Sequence, residues 1–136
     1  MTRKLATAFL IGAGLLLAAA AALAHHSQSG EYDRNKPIEF TGTVKAIEWT
    51  NPHGYVQVEV KGADGKVSVY RAEIQAPNGL YRAGWRRDSV KPGTVVTFKG
   101  SRSRSAASMN VSGQITLPDG KVAYRGTGPG DAGVTP

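Results

Sequence analysis

No cysteine occurs among the 136 residues, which excludes disulfides, iron–sulfur clusters and thiol catalysis. Histidine is scarce, with three copies at His25, His26 and His53, so any imidazole chemistry rests on these positions. Acidic residues number 10 against 17 Lys and Arg, and they stand singly on strands and turns rather than paired at a motif. No serine has a recognisable nucleophile setting either, so an enzyme is not the expectation.

The chain does have one apolar run. Met1-Thr2-Arg3-Lys4 is a short basic start, residues 5–24 are apolar apart from Thr7, and Ala22-Leu23-Ala24 places small residues where signal peptidase reads them. The expectation is a signal peptide over 1–24, export to the periplasm or beyond, and a mature chain beginning at His25. The competing reading is an uncleaved anchor, since a run of this length spans a bilayer; the basic start stays cytoplasmic in both cases and the domain is exported. Without Arg3 and Lys4 the mature 112 residues carry 15 basic and 10 acidic groups, a net charge of +5. That is one small domain able to bury a modest core without staples.

Residues 25–37 read as a polar leader and the core as starting at Ile38. Ile38, Phe40, Gly42, Val44 and Ala46 alternate with polar residues, and then the phase slips to Ile47 and Trp49, which predicts a half-buried strand with a bulge near Ala46. Val56, Val58 and Val60 alternate in the next strand, and Asp64-Gly65 turns the chain into "KVSVYRAEI", a hairpin. In "APNGLYRAGW" Pro77 starts a short helix, Leu80 and Ala83 fall at helical spacing, and Gly84 ends it. A turn at Lys91-Pro92-Gly93 follows. Val96 and Phe98 share one strand face, Val111, Ile115 and Leu117 another, and Pro118-Asp119-Gly120 leads to a last strand around "KVAY". Residues 126–136 form a tail with nothing to bury.

Three strands, a helix, two strands and a terminal extension match an all-β, five-stranded OB-like Greek-key barrel over residues 38–125, with its helix between strands three and four. Another small barrel or sandwich is the alternative. Four segments in this order, "AHHS", "EWTNPH", "APNGLYRAGW" and "SVKPG", resemble a family of small exported bacterial proteins grouped as a domain of unknown function. The resemblance spans roughly residues 24–124 and implies an exported OB-like barrel, with no assigned activity.

Cleavage after Ala24 gives His25 both a free α-amine and a ring nitrogen, a chelating pair, with His26 and His53 as further imidazoles. Amine and imidazole suit Cu(II), Ni(II) or Zn(II), copper first on intrinsic affinity. The amine, with an ordinary pKa near 8, yields its proton to a metal at little cost. The first strand carries the chain about 12 residues, roughly 40 Å, toward His53, and the leader is long enough to run back over it. Glu48, Glu73, Tyr55 and Met109 are candidates to complete such a site. By default both glutamates are expected to face water, and Met109 to fill a core gap. His53 in "NPHGY" equally suits a residue that only caps a turn.

The alternative is a metal-free module for a saccharide, small molecule or periplasmic protein. Tyr55, Trp49, Trp85 and Arg86 are then the ligand-contacting residues, with the two tryptophans expected to serve mainly as core anchors. The basic "SRSRSAAS" stretch adds cations, but export argues against nucleic acid. Contact with a membrane is expected only through residues 1–24, if uncleaved. A copper oxidoreductase built on His25 and His53 is the one enzymatic option, and the small scaffold favours copper storage, delivery or sensing over it.

Overall fold

The computed structural model describes residues 30–126. From Tyr32 onward the elements are β1 (Tyr32–Glu48), β2 (Gly54–Lys61), β3 (Val67–Ile74), α1 (Pro77–Arg82), β4 (Val95–Ser103), β5 (Asn110–Thr116) and β6 (Val122–Tyr124). Their order in the sheet is β3-β2-β1-β4-β5-β6, and β3 also pairs with β5. That last pairing is parallel and short, Arg71 with Asn110 and Ala72 with Val111. Every other neighbouring pair is antiparallel.

β1 is long because it serves two partners. Its first two thirds pair with β4 and its last third, from Thr43 to Glu48, with β2. The register slips between Val44 and Ala46, which is the bulge expected from the phase change, and it lets Ile47 and Trp49 pack on the core that Ile38 and Val44 enter.

One boundary differs from expectation. The strand begins at Tyr32, not Ile38, so residues 32–37, read as leader, belong to β1. Tyr32 is opposite Ser103 and its side chain is buried. A second irregularity between Asp33 and Pro37 breaks the two-residue alternation, and this is why the segment shows no strand period.

β2 and β3 close their hairpin through a bond from the Gly62 amide to the Lys66 carbonyl, with Gly65 at φ +79°, a backbone that side-chain-bearing residues rarely adopt. In α1, Pro77 occupies the first turn, where its missing N–H costs nothing, and Leu80 is fully buried. Trp85 just beyond it donates its indole N–H to the Ala123 carbonyl at 3.2 Å and meets Tyr124 edge-on. The core gathers Val56, Val58, Ile74, Val96, Phe98 and Ile115, each fully buried side chain contributing about 1.5–3 kcal/mol. Among the described residues no helix is long and apolar enough to cross a membrane.

Candidate functional site

His53 sits at the end of the loop from β1 to β2. The loop contains the cis peptide Asn51–Pro52, and the Thr50 hydroxyl donates to the His53 carbonyl at 2.7 Å. Gly54 follows directly, at a position where a Cβ would come within 2.8 Å of the Glu48 carbonyl oxygen, so the backbone after His53 is pressed against β1.

The imidazole is turned toward β3. Its Nδ1 lies 2.8 Å from Glu73 Oε1; the Glu73 side chain is fully buried, while 31% of the His53 side chain is exposed. The other carboxylate oxygen, Oε2, accepts a short hydrogen bond from the Tyr32 hydroxyl. Three distant segments, the start of β1, the loop before β2 and the end of β3, therefore converge on one buried carboxylate. Burial, and then the bond and charge of Glu73, push the Tyr32 hydroxyl far up, so it remains a donor. Tyr55, opposite Glu73 in the β2–β3 register, is raised by burial first, then by the carboxylates of Glu73 and Glu31, with Arg71 partly opposing.

A second polar group lies beside it on the same strands. Arg71 donates from Nε to Glu48 Oε1 at 2.9 Å, from Nη2 to Glu48 Oε2 at 2.7 Å and from Nη1 to Asn110 Oδ1 at 3.0 Å, and its guanidinium stacks 4.0 Å from the Tyr55 ring centroid. Gln57 donates to Glu48 as well, at 2.8 Å, and Asn110 donates onward to Glu31 at 3.3 Å. The bond from Arg71 holds the Glu48 carboxyl below its ordinary range, although burial opposes this.

The residues singled out in the sequence separate accordingly. His25 and His26 lie outside the described residues. Glu73 does not face water: Tyr32 and His53 cover it, which a strand-by-strand reading does not foresee. Glu48 is also only partly exposed, at 24% of its side chain, because Arg71 clasps it. Met109 does not fill a core gap; it is 37% exposed, and its carbonyl accepts from the Arg71 amide. Trp85 is a core anchor, 3% exposed. Trp49 stacks on Tyr81 at 5.3 Å, with Arg87 over Trp49 and Arg86 over Tyr81, each at 5.5 Å. So Tyr55 belongs with Arg71 and Glu73, Trp49 and Arg86 share a second patch through Tyr81, and Trp85 joins neither. No local pattern marks Tyr32 or Arg71 as a site residue; an aromatic inside a polar segment is the one sequence sign of the first.

Among the described residues no group of three or more His, Asp and Glu could hold a metal ion, so His53 there has a carboxylate partner but no second imidazole. A shallow hollow of about 390 Å³ lined by Thr41, Thr43, Glu59, Lys61, Val67 and Val95 shares no residue with this site.

A model of a family described as "Family of unknown function (DUF6152)" matches residues 13–112. No curated protein and no solved structure matches. The chain belongs to the DUF6152 family.

Proposed function

We propose that this DUF6152 member is an exported OB-type β-barrel that binds a divalent metal, copper(II) first, through His53 and the histidines of its N-terminal leader, His25 and His26. The strand order, which returns from β5 to β3, and the helix between β3 and β4 support the barrel. The observation that carries the metal reading is the shared carboxylate: Tyr32 and His53 both bond Glu73. The chain leading back to His25 thus departs from beside His53. His25 lies seven residues before Tyr32 in sequence, and a fully extended segment of that length spans about 24 Å, long enough for the leader histidines to reach the His53 ring. Cleavage after Ala24 adds the His25 amine as a fourth nitrogen, a donor set that copper(II) favours.

The test is expression with the native signal, purification without a tag from the periplasm, mass determination of the first residue, and titration with Cu(II) and Zn(II). A copper EPR spectrum with nitrogen hyperfine structure, weakened in His53→Ala, is the expected result. Retaining one extra residue before His25 displaces the chelating amine; unchanged affinity there sinks the amine's part, and unchanged affinity in His53→Ala sinks the barrel's part.

A second reading rests on a different surface. Trp49 and Tyr81 stack beneath Arg87 and Arg86, an aromatic and cationic patch suited to a saccharide, small molecule or periplasmic protein. If copper and zinc bind only weakly to every form, ligand screening with Trp49→Ala as control takes this reading up.

A further inference from the structure

We propose that Glu73 is the positioning residue of the metal site: it holds the His53 imidazole by Nδ1–H and so presents Nε2, and no other atom of the ring, to the ligand. This deepens the metal reading, on which its functional half rests.

The argument starts from burial. Glu73 is 0% exposed, and a carboxylate taken out of water needs donors on its oxygens. The Tyr32 hydroxyl supplies Oε2, and the atom at Oε1 is His53 Nδ1. A bare Nδ1 lone pair at 2.8 Å from a carboxylate oxygen is repulsive, whereas Nδ1–H makes a charge-assisted hydrogen bond. With the proton on Nδ1, the neutral ring carries its lone pair on Nε2, at the ring edge away from Glu73, in a side chain that is 31% exposed. A carboxylate behind a ligating histidine also makes it a stronger donor. The same arrangement removes Glu73 from the list of direct ligands, since both its oxygens face protein donors, and leaves it acting through His53. Tyr32 completes the pairing by giving the second oxygen of Glu73 its donor.

The experiment reads the ring nitrogens of the uniformly ¹⁵N-labelled full chain by long-range ¹H–¹⁵N correlation at pH 8.5, above the ordinary imidazole pKa, with His53→Ala to assign the signals. The expected pattern for His53 is a protonated Nδ1 and an unprotonated Nε2, retained in Tyr32→Phe. A proton on Nε2, an even mixture of tautomers, or a ring still carrying both protons overturns the positioning, whatever metal does.

Zn(II) is then added. A shift centred on His53 Nε2 is expected, and Glu73→Gln, isosteric but uncharged, should weaken zinc binding about 10- to 100-fold while altering the Nδ1 signal. Zinc arriving at Nδ1, or a Glu73→Gln variant that stays folded and keeps its affinity and its Nδ1 signal, overturns the proposal. If zinc moves no histidine signal while Nδ1–H persists, the metal reading falls and the positioning of the ring by Glu73 stands. Should Glu73→Gln fail to fold, the wild-type tautomer and the Tyr32→Phe spectrum still decide the matter.

Discussion

Arg71 clasps Glu48 with two parallel hydrogen bonds across the 23 residues that separate them in sequence, Nε to Oε1 at 2.9 Å and Nη2 to Oε2 at 2.7 Å. This fork joins the end of β1 to β3 across the intervening β2, whose Gln57 and Tyr55 pack against it. Lysine has no planar fork and cannot reproduce it.

Acid should weaken that clasp. The Glu48 carboxyl is held below its ordinary range, so its contribution is fully present above the unfolded-state pKa, near 4.3, and is lost as pH falls through the lower folded value. Arg71 is 38% exposed, so solvent screening limits the effect to about 1 kcal/mol. Urea midpoints measured from pH 6 down to pH 3 should fall less steeply in Glu48→Gln than in wild type. Parallel curves would show that Glu48 plays no part in acid sensitivity.

Tyr32→Phe leaves one oxygen of the buried Glu73 without this donor. The expected loss is about 1–3 kcal/mol, and it should appear first as faster amide exchange over residues 32–34, where β1 meets Ser103 and Arg102. Exchange at Val56 and Val58 should change only with global stability. Equal acceleration everywhere would mean that the start of β1 has no separate docking step.

Gly100 and Gly113 oppose each other in the β4–β5 register. A Cβ on Gly100 would lie 2.2 Å from the Ser112 carbonyl oxygen and 2.7 Å from the Gly113 Cα, and backbone must move to admit it. Gly100→Ala should therefore cost about 1–3 kcal/mol in a denaturant titration, against the small gain that a glycine-to-alanine change gives where the backbone permits it. A neutral Gly100→Ala would mean that β4 and β5 are farther apart than described.

The two tryptophans should answer differently to the same change. Trp85 Nε1 donates to the Ala123 carbonyl, while the buried Trp49 Nε1 has no hydrogen-bond partner among the described residues. Trp85→Phe loses a hydrogen bond as well as ring volume, and Trp49→Phe loses no such bond. Thermal or urea unfolding should place Trp85→Phe about 1 kcal/mol or more below Trp49→Phe; the reverse order would assign the main anchoring role to Trp49.

Much of the architecture was legible because its signals are local. Val56 and Val58 alternate with half-buried neighbours, Pro77 and Leu80 mark a helix of one face, and the slip after Val44 appears in both the residue pattern and the register. The site was less legible because it is built by contacts across the chain. Ala72, Glu73 and Ile74 are buried in succession, since the core takes Ala72 and Ile74 while Tyr32 and His53 close over Glu73. No periodicity within β3 announces that second covering. Tyr32 was hidden in the same way: its partners Ser103 and Glu73 lie 71 and 41 residues away, and the irregularity after Asp33 erased the strand period that would have flagged it.

The pairing of Tyr32 with Ser103 also bears on the order in which the molecule is assembled. The opening residues of the first strand find their neighbours only at the end of the fourth, so the β1–β4 ribbon cannot be completed until the 70 residues between Tyr32 and Ser103 have emerged. The hairpin of β2 and β3, in contrast, closes over a handful of residues and can form early. Closure of such distant contacts belongs to the slow end of small-domain folding, milliseconds to seconds. For the export proposed above, the consequence is one of timing: a first strand that cannot settle until the fourth exists leaves the N-terminal part of the domain unsettled while the rest of the chain is still being made.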